Sequence, residues 1–205
     1  MDPRWDNIVS LGNLDFVLAP SDIQDLIKGR ITTGKMLGTY GDLDQVDVTK
    51  NYSAVDPEIV LVTSNSNLPP VLQKITDLFA FEKPAARVLI QLPGEMWNLH
   101  IDKLQLYRDH VPDTPEKIMR VSVHLSDWEP GHFWSYGNHT HSHWKFGDVH
   151  TFDWMHVPHC TANAGLIPRL SLNITGIVTK RTELFLQQLK NSLSYKVNGC
   201  FENES

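Results

Sequence analysis

Gly147-Asp-Val-His-Thr-Phe-Asp-Trp-Met-His-Val-Pro-His-Cys-Thr-Ala-Asn-Ala-Gly-Leu-Ile-Pro-Arg-Leu-Ser-Leu-Asn-Ile-Thr-Gly176 is the stretch on which the fold turns. Its last third alternates: Arg169, Ser171, Asn173 and Thr175 share one face, Leu170, Leu172 and Ile174 the other. That is the period of a β-strand with one apolar side. Asn163 to Pro168 ahead of it holds turn-forming residues, and His156–Ala162 is again of β type. The expected arrangement is an antiparallel pair reversing at Asn163–Pro168. It would carry the Arg169 guanidinium and the Ser171 hydroxyl to the inner face beside His159.

The same character extends upstream. β-type segments at Arg87–Leu92, Trp97–Leu106, Met119–Ser126, His132–Trp134 and Val149–Phe152 are separated by Pro, Gly and Asp turns. Short strands recurring at roughly 8–15-residue spacings indicate an all-β sandwich or barrel. Ahead of Pro84, Ser21-Asp-Ile-Gln24 reads as a capping box opening a short helix that stops at Gly29, and Pro70 as the first residue of a helix to about Phe79. Ile59–Val62 is a buried-strand run, and residues 31–56, with Gly34, Gly38 and Gly41, read mainly as loop. Leu184, Phe185, Leu189 and Leu193 mark one face of a closing helix, with a frayed tail from Asn198. The expected organisation is one domain over 1–205, a β core over about 57–178 with N-terminal and C-terminal helices packed outside.

Composition narrows the function classes. The 205 residues are 41% hydrophobic and 20% charged, ordinary for a globular domain. Acidic residues outnumber basic ones 24 to 18, with no long basic run, so no nucleic-acid partner is expected. Two cysteines, Cys160 and Cys200, suit a reducing compartment and make no disulfide framework. The opening Met-Asp-Pro-Arg-Trp-Asp has no cationic start followed by an apolar stretch, so no signal peptide is expected, and no apolar run reaches the roughly 18 residues of a membrane span. The expectation is a cytoplasmic protein without a membrane partner, the Asn-x-Ser/Thr sequons at Asn51, Asn138 and Asn173 being chance.

Eight of the ten histidines lie from His124 to His159, but the first candidate site lies just ahead of them, in His100-Ile-Asp102. On a strand, His100 and Asp102 point to one side and Leu99 and Ile101 to the other. An imidazole and a carboxylate on one face supply two adjacent positions of a metal site, and a third ligand elsewhere would leave further positions open. Two histidines and one carboxylate with open positions suit non-haem Fe(II).

Together with the quoted stretch, this pattern resembles the Fe(II)/2-oxoglutarate-dependent dioxygenase superfamily: H-x-D, a long spacer, then His, and an Arg-x-Ser. Here 56 residues separate Asp102 from His159, and Arg169 lies ten positions beyond His159. The resemblance spans about 85 to 178. Around Gly147-Asp148, His159, Asn163 and Arg169 it looks most like the aspartyl/asparaginyl- and prolyl-hydroxylase-like branches. It implies a double-stranded β-helix, the jelly-roll or cupin-like barrel, with Fe(II) on His100, Asp102 and His159. It also implies 2-oxoglutarate anchored by Arg169 and Ser171, O2 as oxidant, and ascorbate as an auxiliary reductant. The activity implied is hydroxylation of an amino-acid side chain in a small molecule, peptide or protein. The second Arg that nucleic-acid demethylases of this fold carry six residues on is replaced by Thr175.

Rival readings come from the other histidines. His139, His141 and His143, at i, i+2, i+4, would form one imidazole face on a strand, a metal site for a cupin-like or zinc enzyme. The glutamate that a cupin motif adds after H-x-H is absent. Alternatively that face contacts substrate, or the chain is a non-catalytic β-sandwich binding module. His150 is the substitute should His159 not be the ligand, and His156 reads equally as structural. Arg120, Ser122 and His124 share a strand face that could join the co-substrate pocket. The tryptophans read as core and barrel-end packing, and Cys160 as a small buried residue.

Overall fold

A computed structural model describes residues 8–29, 31–32, 61–63, 68–102, 104, 107–108, 111 and 117–197. The chain enters on β1 (Val9–Asp15) and α1 (Pro20–Lys28), followed by β2 (Ile31–Thr32), β3 (Leu61–Thr63) and α2 (Pro70–Leu78). Then come β4 (Glu82–Gln91), β5 (Met96–His100), β6 (Ile118–His124), β7 (His132–Tyr136) and β8 (His139–His141). The chain finishes with β9 (Asp148–Thr151), β10 (His159–Asn163), β11 (Arg169–Ile177), α3 (Lys180–Asn191) and β12 (Tyr195–Lys196). The expected loop between residues 33 and 56, the first half of the Ile59–Val62 run and the tail from Asn198 lie outside the described residues.

Two sheets form. One has eight strands in the order β12-β1-β9-β6-β11-β4-β3-β2, the other four in the order β5-β10-β7-β8. This is a double-stranded β-helix, the cupin-like barrel. Alternation on the central strands explains the layering. Val88 and Ile90 of β4, Val121 and Val123 of β6, and Leu170, Leu172 and Ile174 of β11 pack with Leu26 of α1, Leu72 and Ile75 of α2, and Phe185 and Leu189 of α3. Each such buried aliphatic or aromatic side chain is worth about 1.5–3 kcal/mol. The opposite faces of the same strands line a cleft between the sheets, and beside it packs a second cluster of Trp134, Tyr136, Trp144, Phe152, Trp154 and Val157, of which Trp134 and Trp154 reach the cleft wall.

Several local expectations change. The helix at the start is capped two residues earlier, at Ala19: Pro20 opens it and Asp22 Oδ2 accepts from Ala19 N–H at 3.3 Å, so Ser21 is inside it. On α3 the buried face is Thr182, Phe185 and Leu189, while Leu184 is exposed and Leu193, past the helix end, is exposed too. β4 begins before Pro84, which the chain accommodates in a bulge opposite Gly176 where Lys83 turns to φ 49. The largest change concerns β10 and β11, which do not pair. β10 lies between β5 and β7, and β11 between β4 and β6, so residues 164–168 carry the chain from one sheet to the other.

β1 has no counterpart in the sequence reading, because Gly12 interrupts its alternation. A register shift between Ser10 and Gly12 marks a bulge, and Gly12 has φ +122. A Cβ there would stand 2.6 Å from the Leu189 carbonyl oxygen of α3. Gly12→Ala is expected to cost about 2–3 kcal/mol, from left-handed strain and displacement of α3 together. Urea denaturation measures it; an unchanged midpoint would contradict this seating of α3 on β1.

Candidate functional site

β5 and β10 are antiparallel neighbours, and their register sets His159 opposite His100. The two rings lie 4.3 Å apart between centroids. β5 ends at His100, so Asp102 is not on a strand as the alternation argument supposed. It is placed by its backbone N–H, which donates to the Trp154 carbonyl at 3.1 Å. Its carboxylate then reaches both rings, with Oδ1 3.6 Å from His100 Nε2 and Oδ2 3.8 Å from His159 Nε2. One ligand atom from each of the three residues lies within 4.8 Å of the others. His159 Nδ1 is 3.0 Å from the Val157 carbonyl, which makes Nδ1 the protonated nitrogen and turns the Nε2 lone pair toward Asp102.

Arg120 takes a different place from the one expected of it. Its guanidinium NH1 donates to Asp102 Oδ2, its Nε donates to Thr175 Oγ1 at 2.8 Å, and its plane lies over Trp154. Burial pushes the Asp102 carboxyl up, but Arg120, His159 and His100 outweigh it and hold it below the usual carboxylate range. Asp102 is therefore ionised, with Oδ1 facing His100 and Oδ2 shared between Arg120 and the His159 side. Burial lowers Arg120 to about 10 against the pull of Asp102.

These groups form one wall of a cleft that is partly open to solvent. Arg169 and Ser171 of β11 line it too, reached from the opposite sheet rather than by pairing with β10. Arg169 is buried. Its NH1 donates to Gln91 Oε1 at 2.8 Å, and its guanidinium lies 5.6 Å from the Trp134 ring and 5.3 Å from the Trp144 ring. Its Nε has no hydrogen-bond partner, and among the described residues no carboxylate pairs with it. Burial alone lowers it to about 10. Gln91 escaped the sequence reading, although alternation on β4 does put Arg87, Leu89 and Gln91 on one face. Asn163 is structural: its Nδ2 donates to the Gln91 and Ile167 carbonyls and its Oδ1 accepts from Gly165 N–H.

The imidazole face expected of His139, His141 and His143 does not form. β8 ends at His141, and His143 turns to φ 61 and stacks on Trp128. His139 lies against Tyr136. His141 alone of the three joins other histidines, His124 of β6 and His150 of β9, in a second group whose ligand atoms lie within 4.8 Å of one another. His150 thus belongs to this second group rather than to the His100 site, and His156 is exposed beside Asp153. Trp97, Trp134 and Trp154 line the cleft, a closer role than end packing. Cys160 is half-buried, its thiol pushed up by burial.

No family model and no curated protein matches the chain. Solved structures resemble it. The cupin domain of an XRE-family transcriptional regulator from Enterobacter cloacae shares 12% identity over 59% of this chain and 99% of that one, with a TM-score of 0.36. A predicted oxalate decarboxylase from Thermotoga maritima shares 14% over 58% and 81%, at 0.35. The Schizosaccharomyces pombe Cnp3 cupin domain shares 10% over 61% and 69%, at 0.35. The barrel assignment stands on strand order and register. Among the described residues, no helix is long and apolar enough to cross a membrane.

Burial holds His159 at about 3 and His150 at about 4, both below the ordinary 6.5. Between those values and 6.5 the unfolded chain binds protons that the folded chain refuses. Stability of the metal-free protein should therefore fall as pH drops from 6.5 to 4, by about 1.4 kcal/mol per pH unit for each histidine. Urea midpoints at pH 7, 6 and 5 test this, and His159→Gln should remove one proton's share of the slope. A flat profile would contradict neutral, buried histidines.

Proposed function

We propose that this chain is an Fe(II)- and 2-oxoglutarate-dependent oxygenase that hydroxylates an amino-acid side chain, free or within a protein. One observation carries the reading. A buried guanidinium, Arg169, for which no counter-anion stands among the described residues, shares a cleft with two imidazoles and an ionised carboxylate. A buried charge left without a partner is costly. A ligand carboxylate would remove that cost, and the planar fork of an arginine suits it.

The donor set fits both absent groups. His100, Asp102 and His159 would hold Fe(II) as two nitrogens and one oxygen, leaving positions for a chelating 2-oxo acid and O2. Arg169, with Ser171 two residues along β11, would take the distal carboxylate of 2-oxoglutarate. When bound, these groups supply oxidation of an unactivated C–H bond by O2, releasing succinate and CO2, with ascorbate as auxiliary reductant.

The protein's own part is placement. Val157 fixes the tautomer of His159. Arg120 occupies one oxygen of Asp102, keeps the group ionised and leaves Oδ1 for the metal. Gln91 and the faces of Trp134 and Trp144 hold the Arg169 fork in position. Trp97, Trp134 and Trp154 make much of the wall apolar, which favours exclusion of water. The amino-acid substrate rests on the likeness of Gly147-Asp148, His159, Asn163 and Arg169 to the hydroxylase-like branches. A non-catalytic binding module would leave the convergence of the triad and Arg169 without a purpose.

Anaerobic titration with Fe(II) and 2-oxoglutarate tests the proposal. A weak visible charge-transfer band is expected, and it should vanish in Asp102→Ala and His159→Ala. Absence of the band, or its survival unchanged in both variants, would sink the reading. Arg169→Ala should weaken 2-oxoglutarate about 10–100-fold, the worth of one charged hydrogen-bonding group, with Fe(II) affinity little changed. Equal loss of both would remove Arg169 from this role.

A further inference from the structure

His124, His141 and His150 come from three strands and both sheets. β6 and β9 are neighbours in the large sheet, with Val123 opposite Val149, and β8 is the outer strand of the small one. The rings gather closely: His141 and His150 are 4.4 Å apart between centroids, His124 and His150 5.2 Å, and His124 and His141 5.8 Å. Trp144 stacks on His124 at 4.6 Å, and Trp134 packs edge-on against His124 and His141 at 5.4 Å each. None of the three histidines lines the cleft that holds His100, Asp102 and His159.

The polar atoms of this cage are unsatisfied. Both nitrogens of His124, Nε2 of His141 and Nδ1 of His150 are buried without a hydrogen-bond partner among the described residues. Leaving one such group unpaired is expensive, and four in one cluster are an unusual concentration. Each imidazole nitrogen that donates its lone pair to a metal removes one of those deficits. Three convergent imidazoles with no thiolate suit a borderline divalent ion such as Zn(II).

We infer that His124, His141 and His150 form a second metal site of the Zn(II) class, which ties the outer strand of the small sheet to the large sheet. With metal–nitrogen bonds of about 2.0–2.1 Å, tetrahedral ligand nitrogens stand about 3.3 Å apart, so the group within 4.8 Å closes by small side-chain rotations. Two charges bear on it. Arg169 opposes a cation near His124 and His141, and Asp148 favours one near His141 and His150. The site is structural, since its ligands are enclosed by tryptophans and lie off the cleft. It does not depend on the oxygenase reading.

The test uses the metal-free chain and Zn(II) alone, with bound metal counted after gel filtration. His159→Gln removes a ligand from the His100 site and should keep one equivalent of Zn(II). His141→Gln, the least buried position of the cluster, should lose that equivalent. X-ray absorption on Zn(II)-loaded His159→Gln should show a first shell of three imidazoles. Zn(II) should also raise the melting temperature of His159→Gln by about 5–10 °C. Undiminished Zn(II) binding in His141→Gln would overturn the assignment. So would loss of all Zn(II) from His159→Gln, an outcome that decides the matter even if His141→Gln fails to fold. Failure here would leave the iron and 2-oxoglutarate titration untouched, because that experiment reads the other three residues.

Discussion

The pairing of β5 with β10 in the register that opposes His100 and His159 is the constraint on which the rest of the site depends. Side chains alternate along a strand, so a slip of one residue would turn one imidazole out of the barrel and bring an apolar residue or Cys160 inward. The register is held from both sides. β10 pairs with β7 over five consecutive positions, Asn163 ties the end of β10 to Gln91, and Val157 receives the His159 ring. Asp102 needs no strand of its own once this pair is in place, because the Trp154 carbonyl fixes its backbone.

The barrel interior is polar for the same reason that its outer face is apolar. β4, β6 and β11 each present aliphatic residues to the helices and charged or amide residues to the cleft. Two arginines are buried there, and they differ in kind. Arg120 is matched by Asp102, whereas among the described residues Arg169 has Gln91 and two indole faces but no carboxylate. The matched pair shapes the site, and the unmatched one is the feature that asks for a ligand.

The strand content, the alternation of Arg169–Thr175 and the residues that converge at the His100 site were legible in the sequence, because each is a local pattern or a spacing. The sheet to which a strand belongs is not local. Arg169 was expected beside His159 through pairing of consecutive strands, and it arrives instead from across the barrel. Likewise, alternation could put Arg120, Ser122 and His124 on one face, but not send Arg120 to Asp102 and His124 to a separate histidine cluster. The regular spacing of His139, His141 and His143 misled because a single left-handed residue at His143 ends the alternation. β1 stayed hidden behind the bulge at Gly12.

The strand order also has a kinetic side. β1 lies between β9 and β12, and β11 joins β4 to β6, so the large sheet consists mostly of pairings between segments far apart in sequence. Such a topology must close long loops before its contacts return any free energy, which makes folding slow compared with a helical bundle of equal size. During synthesis β1 would wait for β9 and β12 to emerge, with a bare edge meanwhile. The bulge at Gly12 makes that edge irregular, a poorer template for another chain during the interval when it is most exposed.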